Sequence, residues 1–339
     1  MSTTVSVYTK KDFQSSQEVR WCPGCGDYAV LAAVQSVFPE LGIPKERFVV
    51  VSGIGCSSRF PYYVDTYGFH SIHGRAPAIA TGLKLARPEL DVWIATGDGD
   101  ALSIGGNHTI HMLRRNVGVK VLLFNNRIYG LTKGQYSPTS EPGTKAKSTP
   151  MGSIDRPFDP LALALGAGAT FVARAVDVHQ VQLKDVLRKA AAHRGSAFVE
   201  ILQNCNIFND GTWDALSSKE TRDDTTLLLE HGKPLVFGKN KDKGIRLRGL
   251  DFEVVSLGNG ISEADLVVHD AQHPSPAYSF LLARMASRPG FPTPLGVLRG
   301  IDLPRYEDQV AAQIQAAIAR KGRGSLEALL TAGESWTVS

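Results

Sequence analysis

Asp91-Val-Trp-Ile-Ala-Thr-Gly-Asp-Gly-Asp100 sets the architecture of this chain. Its first six residues are a short, largely apolar run, as expected of a strand covered on both faces. Two glycines and two aspartates close that run, and a helical pattern with Gly105-Gly106 near its start begins at residue 104. The same design recurs outward. Residues 48–51 end in Ser52-Gly-Ile-Gly-Cys56, residues 117–124 in Asn125-Asn126, and residues 197–202 in Gln203-Asn-Cys205. Apolar positions at three- and four-residue spacing predict helices over 27–38, 77–86, 104–115 and 179–193. Strands alternating with helices predict an α/β fold, a parallel sheet flanked by helices and joined by right-handed crossovers.

In an open parallel sheet, ligands bind beyond the carboxyl ends of the strands, so the four polar or thiol-bearing strand ends are expected to converge on one site. The stretch 136–160 is rich in Pro, Ser, Thr and Gly without an apolar period and reads as a long loop near it. Residues 206–250 read as irregular. The tail regains pattern with a strand over 263–269 and helices over 277–286 and 306–320, and carries no motif with chemistry. These shifts divide the chain into 1–215, which holds the site, and an extension, 216–339. No internal repeat is present.

The 339 residues leave room for one large or two ordinary domains, at about 150 residues each. With 43% hydrophobic and 21% charged residues, the composition is globular. No uninterrupted apolar run reaches the ~18 residues that a spanning helix requires, so no membrane is expected. The opening Met1-Ser-Thr-Thr-Val-Ser-Val-Tyr8 does not read as a secretory signal, lacking a basic flank and apolar core, so the cytoplasm is the expected compartment. A net charge of +4 predicts no nucleic-acid binding, and the basic runs at 145–147 and 239–243 read as solvated loops. Four cysteines are too few for a disulfide scaffold, so their placement points to metal or redox chemistry.

Gly97-Asp-Gly-Asp100 and Asn125-Asn126 build a site for a hard cation and a diphosphate. Mg²⁺ prefers oxygen ligands, which the Asp98 carboxylate, the Asn126 amide oxygen and a nearby main-chain carbonyl could supply. The glycines let a diphosphate approach backbone N–H groups. Gly-Asp-Gly followed by Asn-Asn, with 126 − 98 = 28 residues between the two ligands, resembles the thiamine diphosphate signature. The cysteines Cys22, Cys25, Cys56 and Cys205 admit three readings. Trp21-Cys-Pro-Gly-Cys25 is similar to a thioredoxin-type dithiol, which predicts a reactive Cys22, but no apolar strand precedes it. A Cys₄ zinc site usually presents two Cys-x-x-Cys pairs, and here the other thiols are single. A [4Fe–4S] cluster tolerates dispersed ligands, and Cys56 and Cys205 already close strand ends assigned to the site.

Together these motifs resemble the β subunit of the 2-oxoacid:ferredoxin oxidoreductases. The resemblance runs over residues 19–214 and rests on Trp21-Cys-Pro-Gly-Cys-Gly-Asp27, Gly53-Ile-Gly-Cys-Ser57, His70-Ser-Ile-His-Gly-Arg-Ala76, Gly97-Asp-Gly-Asp100 and Asn125-Asn-Arg-Ile-Tyr-Gly-Leu-Thr-Lys-Gly-Gln135. The tail is similar to the longer β subunits of the 2-oxoglutarate enzymes. The resemblance implies a thiamine diphosphate-binding fold, with the four cysteines on a [4Fe–4S] cluster and Asp98, Asn126 and the carbonyl of Ile128 on Mg²⁺. It also implies that Ile54, Gly55, Cys56, Ser57, His73, Gly99, Asp100, Gly130 and Leu131 surround the thiamine diphosphate. Arg59 stands where the family often has a basic residue, and its fork suits a 2-oxoacid carboxylate. Lys133 could hold the second carboxylate of 2-oxoglutarate, though it also reads as an ordinary loop lysine. His70 reads as a satisfied turn residue.

The implied reaction is oxidative decarboxylation of a 2-oxoacid, 2-oxoglutarate before pyruvate, to acyl-CoA and CO₂, with electrons passed through the cluster to ferredoxin. Coenzyme A is the co-substrate, and the reaction is reversible in principle. Thiamine enzymes use a glutamate to activate the aminopyrimidine, and no glutamate between Glu18 and Glu141 is well placed. The resemblance implies that an α subunit supplies it, in an αβ heterodimer or a dimer of heterodimers. The rivals are a non-redox thiamine enzyme, a zinc-stabilised scaffold and a thiol-disulfide exchanger.

Overall fold

The computed structural model describes residues 8–334 and 336–338. The opening residues 1–7, read above for a leader, lie outside them. The described strands, in chain order, are β1 (Phe48–Ser52), β2 (Tyr67–His70), β3 (Asp91–Gly97), β4 (Val119–Asn125), β5 (Ile128–Tyr129), β6 (Gln135–Tyr136), β7 (Phe171–Val176), β8 (Ala197–Leu202), β9 (Thr226–Leu228), β10 (Val236–Phe237), β11 (Lys243–Arg248), β12 (Asp251–Ser256) and β13 (Thr293–Gly300). Eight of them form one sheet in the order β2-β1-β3-β4-β8-β7-β13-β9. The six strands from β2 to β7 are parallel, so the ends of β1, β3, β4 and β8 open on the same edge. β13 runs antiparallel to β7, and β9 pairs parallel with β13. β5 and β6 form a two-stranded hairpin, and β10–β12 a small antiparallel sheet.

Alternation along each strand sends side chains to two cores. On β3, Val92 and Ile94 pack with helices Ala76–Ala86 and Gly106–Arg114, whereas Trp93 and Ala95 pack with helices Asp27–Val37 and Gln180–Ala192. At about 1.5–3 kcal/mol per buried large side chain, this two-sided burial holds the strand ends in register, which is what positions the site.

Four parts of the tail and middle differ from the sequence reading. Residues 263–269 are not a strand but a 3-10 turn, Glu263–Asp265, followed by one bridge between Pro234 and Val268. The cause is a capping box: the Ser262 N–H donates to Asp265 Oδ2 at 2.8 Å, and the Ser262 hydroxyl does so at 3.0 Å. Residues 206–250, read as irregular, contain β9, β10 and β11. Strands β7 and β13 also went unread. The first carries Arg174, paired across to Glu200 of β8 at 2.6 Å with both side chains buried; the second carries Pro294 and Gly296, which disfavour strands.

His193, at the end of the helix before β8, bonds through Nε2 with Thr170 Oγ1 at 2.7 Å. Burial, aided by the Lys120 ammonium, lowers its pKa from the ordinary 6.5 to about 4. The unfolded chain therefore takes up this proton first as pH falls, so the stability that depends on neutral His193 is present above 6.5 and lost through the window 6.5 to 4. His193→Gln should flatten that part of the pH dependence in chemical denaturation, and an unchanged acid slope would contradict the assignment.

Candidate active site

The strand ends do converge. One cleft is lined by Ile54, Gly55, Cys56 and Ser57 after β1, by Asp98, Gly99 and Asp100 after β3, and by Asn126, Ile128, Tyr129, Gly130 and Leu131 after β4. Glycine is required at two of these turns. Gly55 has φ +95°, and a Cβ on Gly99 would lie 2.3 Å from Cε1 of Tyr129, whose hydroxyl donates to the Gly99 carbonyl at 2.7 Å. Gly99→Ala should cost about 1–3 kcal/mol through this overpacking; an unchanged midpoint in thermal denaturation would refute the contact.

Asp98 is 1% exposed, and its Oδ2 accepts from Ser137 and Thr139 hydroxyls, each at 2.5 Å. Burial raises its pKa to about 6, against the lowering effect of those hydroxyls. Asn126 accepts at Oδ1 from the Ile128 N–H at 3.2 Å and donates from Nδ2 to Gln203 Oε1 at 2.9 Å. Asp98, Asn126 and Ile128 thus share one wall with oxygen donors, a set that suits a hard cation. Beneath them runs a buried polar chain: Thr139 Oγ1 donates to Asn125 Oδ1 at 3.0 Å, Asn125 Nδ2 to Glu200 Oε1 at 2.7 Å, and Arg174 Nε to Glu200 Oε2 at 2.6 Å.

Asp100 is taken up by the protein. Its Oδ1 accepts from the Gly74 N–H at 2.7 Å and meets His73 Nδ1 at 2.8 Å, while Oδ2 accepts from Thr96 at 2.8 Å. With Nδ1 engaged by Asp100, Nε2 is the ring nitrogen left for a ligand. His73 flanks the cleft, its ring edge-on to Tyr129 at 6.2 Å. His70, read as a turn residue, instead ends β2, and it bonds the Tyr62 hydroxyl at 3.1 Å.

The four cysteines line a second cavity of about 180 Å³, together with Asp27, Arg59, Gln203 and Phe208. All four are free thiols. Across it, a Cβ on Gly130 would lie 3.5 Å from Cys205 Sγ and 3.7 Å from Cys56 Sγ. Burial raises the Cys25 thiol pKa steeply and that of Cys56 to about 12, and the nearby Asp27 adds to both. Two anchors shape the cavity: the Trp21 indole N–H donates to the Cys56 carbonyl at 2.7 Å, and the Gly26 N–H to the Asn204 carbonyl at 3.2 Å.

This geometry weighs the three readings of the thiols. Among the described residues no group of three His, Cys, Asp or Glu side chains forms a ready-made metal site, and the four thiols share one cavity. Thiols spread around a cavity suit a polynuclear centre with one iron per thiolate. The helix that would activate a dithiol starts at Asp27, which leaves Cys22 outside its first turn.

Arg59 sits on the cysteine cavity and makes no ion pair among the described residues. Lys133 is not brought to either cavity. It occupies the exposed turn between β5 and β6 with φ +76°. The residues that sequence reading gave no role are Ser137, Thr139 and Tyr129; the first two lie in the loop assigned to the site's neighbourhood, with nothing in their spacing to single them out, whereas Gln203 belongs to a strand end already expected at the site.

The family model for the thiamine pyrophosphate enzyme C-terminal TPP binding domain matches residues 53–201, a span that holds the cleft but only one of the four cysteines. The chain is 56% identical over 338 residues to the 2-oxoglutarate oxidoreductase subunit KorB of Mycobacterium tuberculosis, covering 99% of this chain and 90% of that one. It is 50% identical over 190 residues to the β subunit of 2-oxoacid:ferredoxin oxidoreductase 1 of Aeropyrum pernix, 56% of this chain and 60% of that one. A solved structure of the 2-oxoglutarate:ferredoxin oxidoreductase from Magnetococcus marinus, with 2-oxoglutarate, coenzyme A and succinyl-CoA bound, superposes with TM-score 0.77 at 34% identity, covering 98% of each chain.

Proposed function

This chain belongs to the 2-oxoacid:ferredoxin oxidoreductase β-subunit family, and we propose that it is the β subunit of a 2-oxoglutarate:ferredoxin oxidoreductase. The reaction converts 2-oxoglutarate and coenzyme A to succinyl-CoA and CO₂ and passes two electrons, one at a time, to ferredoxin. The observation that carries this reading is the wall common to the two cavities: Cys56, Asn126, Gly130 and Leu131 line both the cleft and the cysteine cavity. Carbon chemistry on one side of that wall would deliver electrons directly to the other. When bound, thiamine diphosphate supplies an electron sink for decarboxylation, and a [4Fe–4S] cluster supplies one-electron transfer.

We assign Asp98, Asn126 and the Ile128 carbonyl to Mg²⁺, and Cys22, Cys25, Cys56 and Cys205 to the cluster. Ile54, Gly55, Cys56, Ser57, Gly99, Asp100, Gly130 and Leu131 would enclose the thiamine diphosphate. His73, held by Asp100, would offer Nε2 to it. Arg59, on the wall of the cysteine cavity, would bind a carboxylate of the 2-oxoacid; Lys133, exposed outside both cavities, is left without a role. No glutamate lines either cavity among the described residues. That supports an α subunit as the source of the group that activates the aminopyrimidine and of the coenzyme A contacts, in a cytoplasmic heterodimer or dimer of heterodimers. Residues 1–215 would carry the cofactors, with 216–339 packed on them and on the α subunit.

The test is an anaerobic absorbance titration of the chain co-purified with its partner subunit. With coenzyme A present, 2-oxoglutarate should bleach the iron–sulfur band and pyruvate should not. A colourless, iron-free protein would overturn the assignment.

A further inference from the structure

Gln203 touches ligand candidates on both sides of the common wall. It is fully buried, and its main-chain N–H donates to the Asn125 carbonyl at 3.1 Å. At the tip of the side chain, Oε1 accepts from Asn126 Nδ2 at 2.9 Å, while Nε2 donates to Cys25 Sγ at 3.4 Å and to the Asn204 carbonyl at 2.6 Å. Both amide hydrogens and the oxygen are therefore used. Turning the amide over would set Oε1 against the Asn204 carbonyl and Nε2 against Asn126 Nδ2, two unmatched contacts in a dry site, so the orientation is unique. Space for it comes from Gly26, where a Cβ would lie 2.9 Å from Gln203 Cγ.

We propose that Gln203 is a positioning residue shared by the two centres: its amide oxygen fixes Asn126 with Oδ1 toward the cation site, and its N–H donates to the Cys25 sulfur. The inference rests on the assignment of Cys25 to a cluster and of Asn126 to Mg²⁺ made above. Each end has its own consequence. Partners that orient a metal ligand typically contribute 10–100-fold to metal affinity. A hydrogen bond to a cluster sulfur withdraws charge from it and stabilises the reduced form, so the potential rises with the bond and falls without it.

Two variants separate the ends in the αβ enzyme. Gln203→Met removes donor and acceptor, whereas Gln203→Glu keeps an oxygen for Asn126 Nδ2 and replaces the N–H at Cys25 with a carboxylate oxygen, whose charge adds to the loss of the hydrogen bond and pushes the potential the same way. In Gln203→Met, Mg²⁺-dependent thiamine diphosphate binding should weaken about 10–100-fold, and the midpoint potential in an EPR-monitored redox titration should move negative. In Gln203→Glu the potential should move negative while thiamine diphosphate affinity stays at the wild-type value. Iron, labile sulfide and thiamine diphosphate binding are measured first on the wild type. If these are absent, the functional assignment fails. If they are present and Gln203→Glu leaves the potential unmoved, or lowers both readouts together, the two-ended role of Gln203 is overturned while the functional assignment stands.

Discussion

With Cys56 as a ligand of the proposed cluster, Cys56→Ser in the αβ enzyme should abolish ferredoxin reduction and strip iron and labile sulfide from the protein, while Mg²⁺-dependent thiamine diphosphate binding should persist. The expectation follows from where Cys56 sits. Its carbonyl is held by the Trp21 indole, its thiol lines the cysteine cavity, and its neighbours Ile54, Gly55 and Ser57 line the cleft. Burial, with the Asp27 carboxylate next, pushes its pKa to about 12, so without a cationic centre it stays a neutral thiol and a poor nucleophile near pH 7. Binding iron must expel that proton. Iron and sulfide analysis with EPR checks the prediction, and a full iron complement in the variant would refute the ligand assignment.

Asp98→Asn should do the reverse in the neighbouring site. Removing the carboxylate while keeping its shape should weaken Mg²⁺-dependent thiamine diphosphate binding by more than about 100-fold, since orienting partners alone are worth 10–100-fold. The cluster should remain. Stability of the cofactor-free protein should move the other way. The folded-state pKa of Asp98, about 6, lies above the ordinary 3.8, so the folded chain holds this proton more tightly than the unfolded one. Stability is then lost as pH rises from 3.8 through 6. At pH 7 an uncharged residue avoids a cost of about 3 kcal/mol. Denaturation of cofactor-free Asp98→Asn should therefore show equal or greater stability than the wild type, with Mg²⁺ and thiamine diphosphate closing the gap for the wild type alone. A variant less stable at pH 7, or one binding the cofactor normally, would exclude Asp98 as a cation ligand held ionised against its surroundings. Such a trade of stability for function is usual where a charge is kept in a dry site.

The site was readable in part because its chemistry lies in short contiguous motifs at strand ends. Gly97-Asp-Gly-Asp100 and Asn125-Asn126 each carry a ligand next to the residues that shape its turn, and parallel strands bring such turns to one edge whatever their separation. The small tail elements were harder to read. The strand expected over 263–269 lost to a local capping box at Ser262 and Asp265, and β7 could not be recognised while Arg174 stood unpaired in its middle.

Local composition was thus enough for the α/β alternation, the turns that demand glycine, and the kinds of atom delivered to the site: thiols, a carboxylate and an amide. Folding alone chose which of those atoms meet. Gln203 reaches Cys25 across 178 residues of sequence, Asn125 reaches Glu200 across 75, and Ser137 reaches Asp98 across 39. Hydrogen bonds act over about 3 Å and take their value from burial, and neither the distance nor the dryness of a contact is written in the residues that make it.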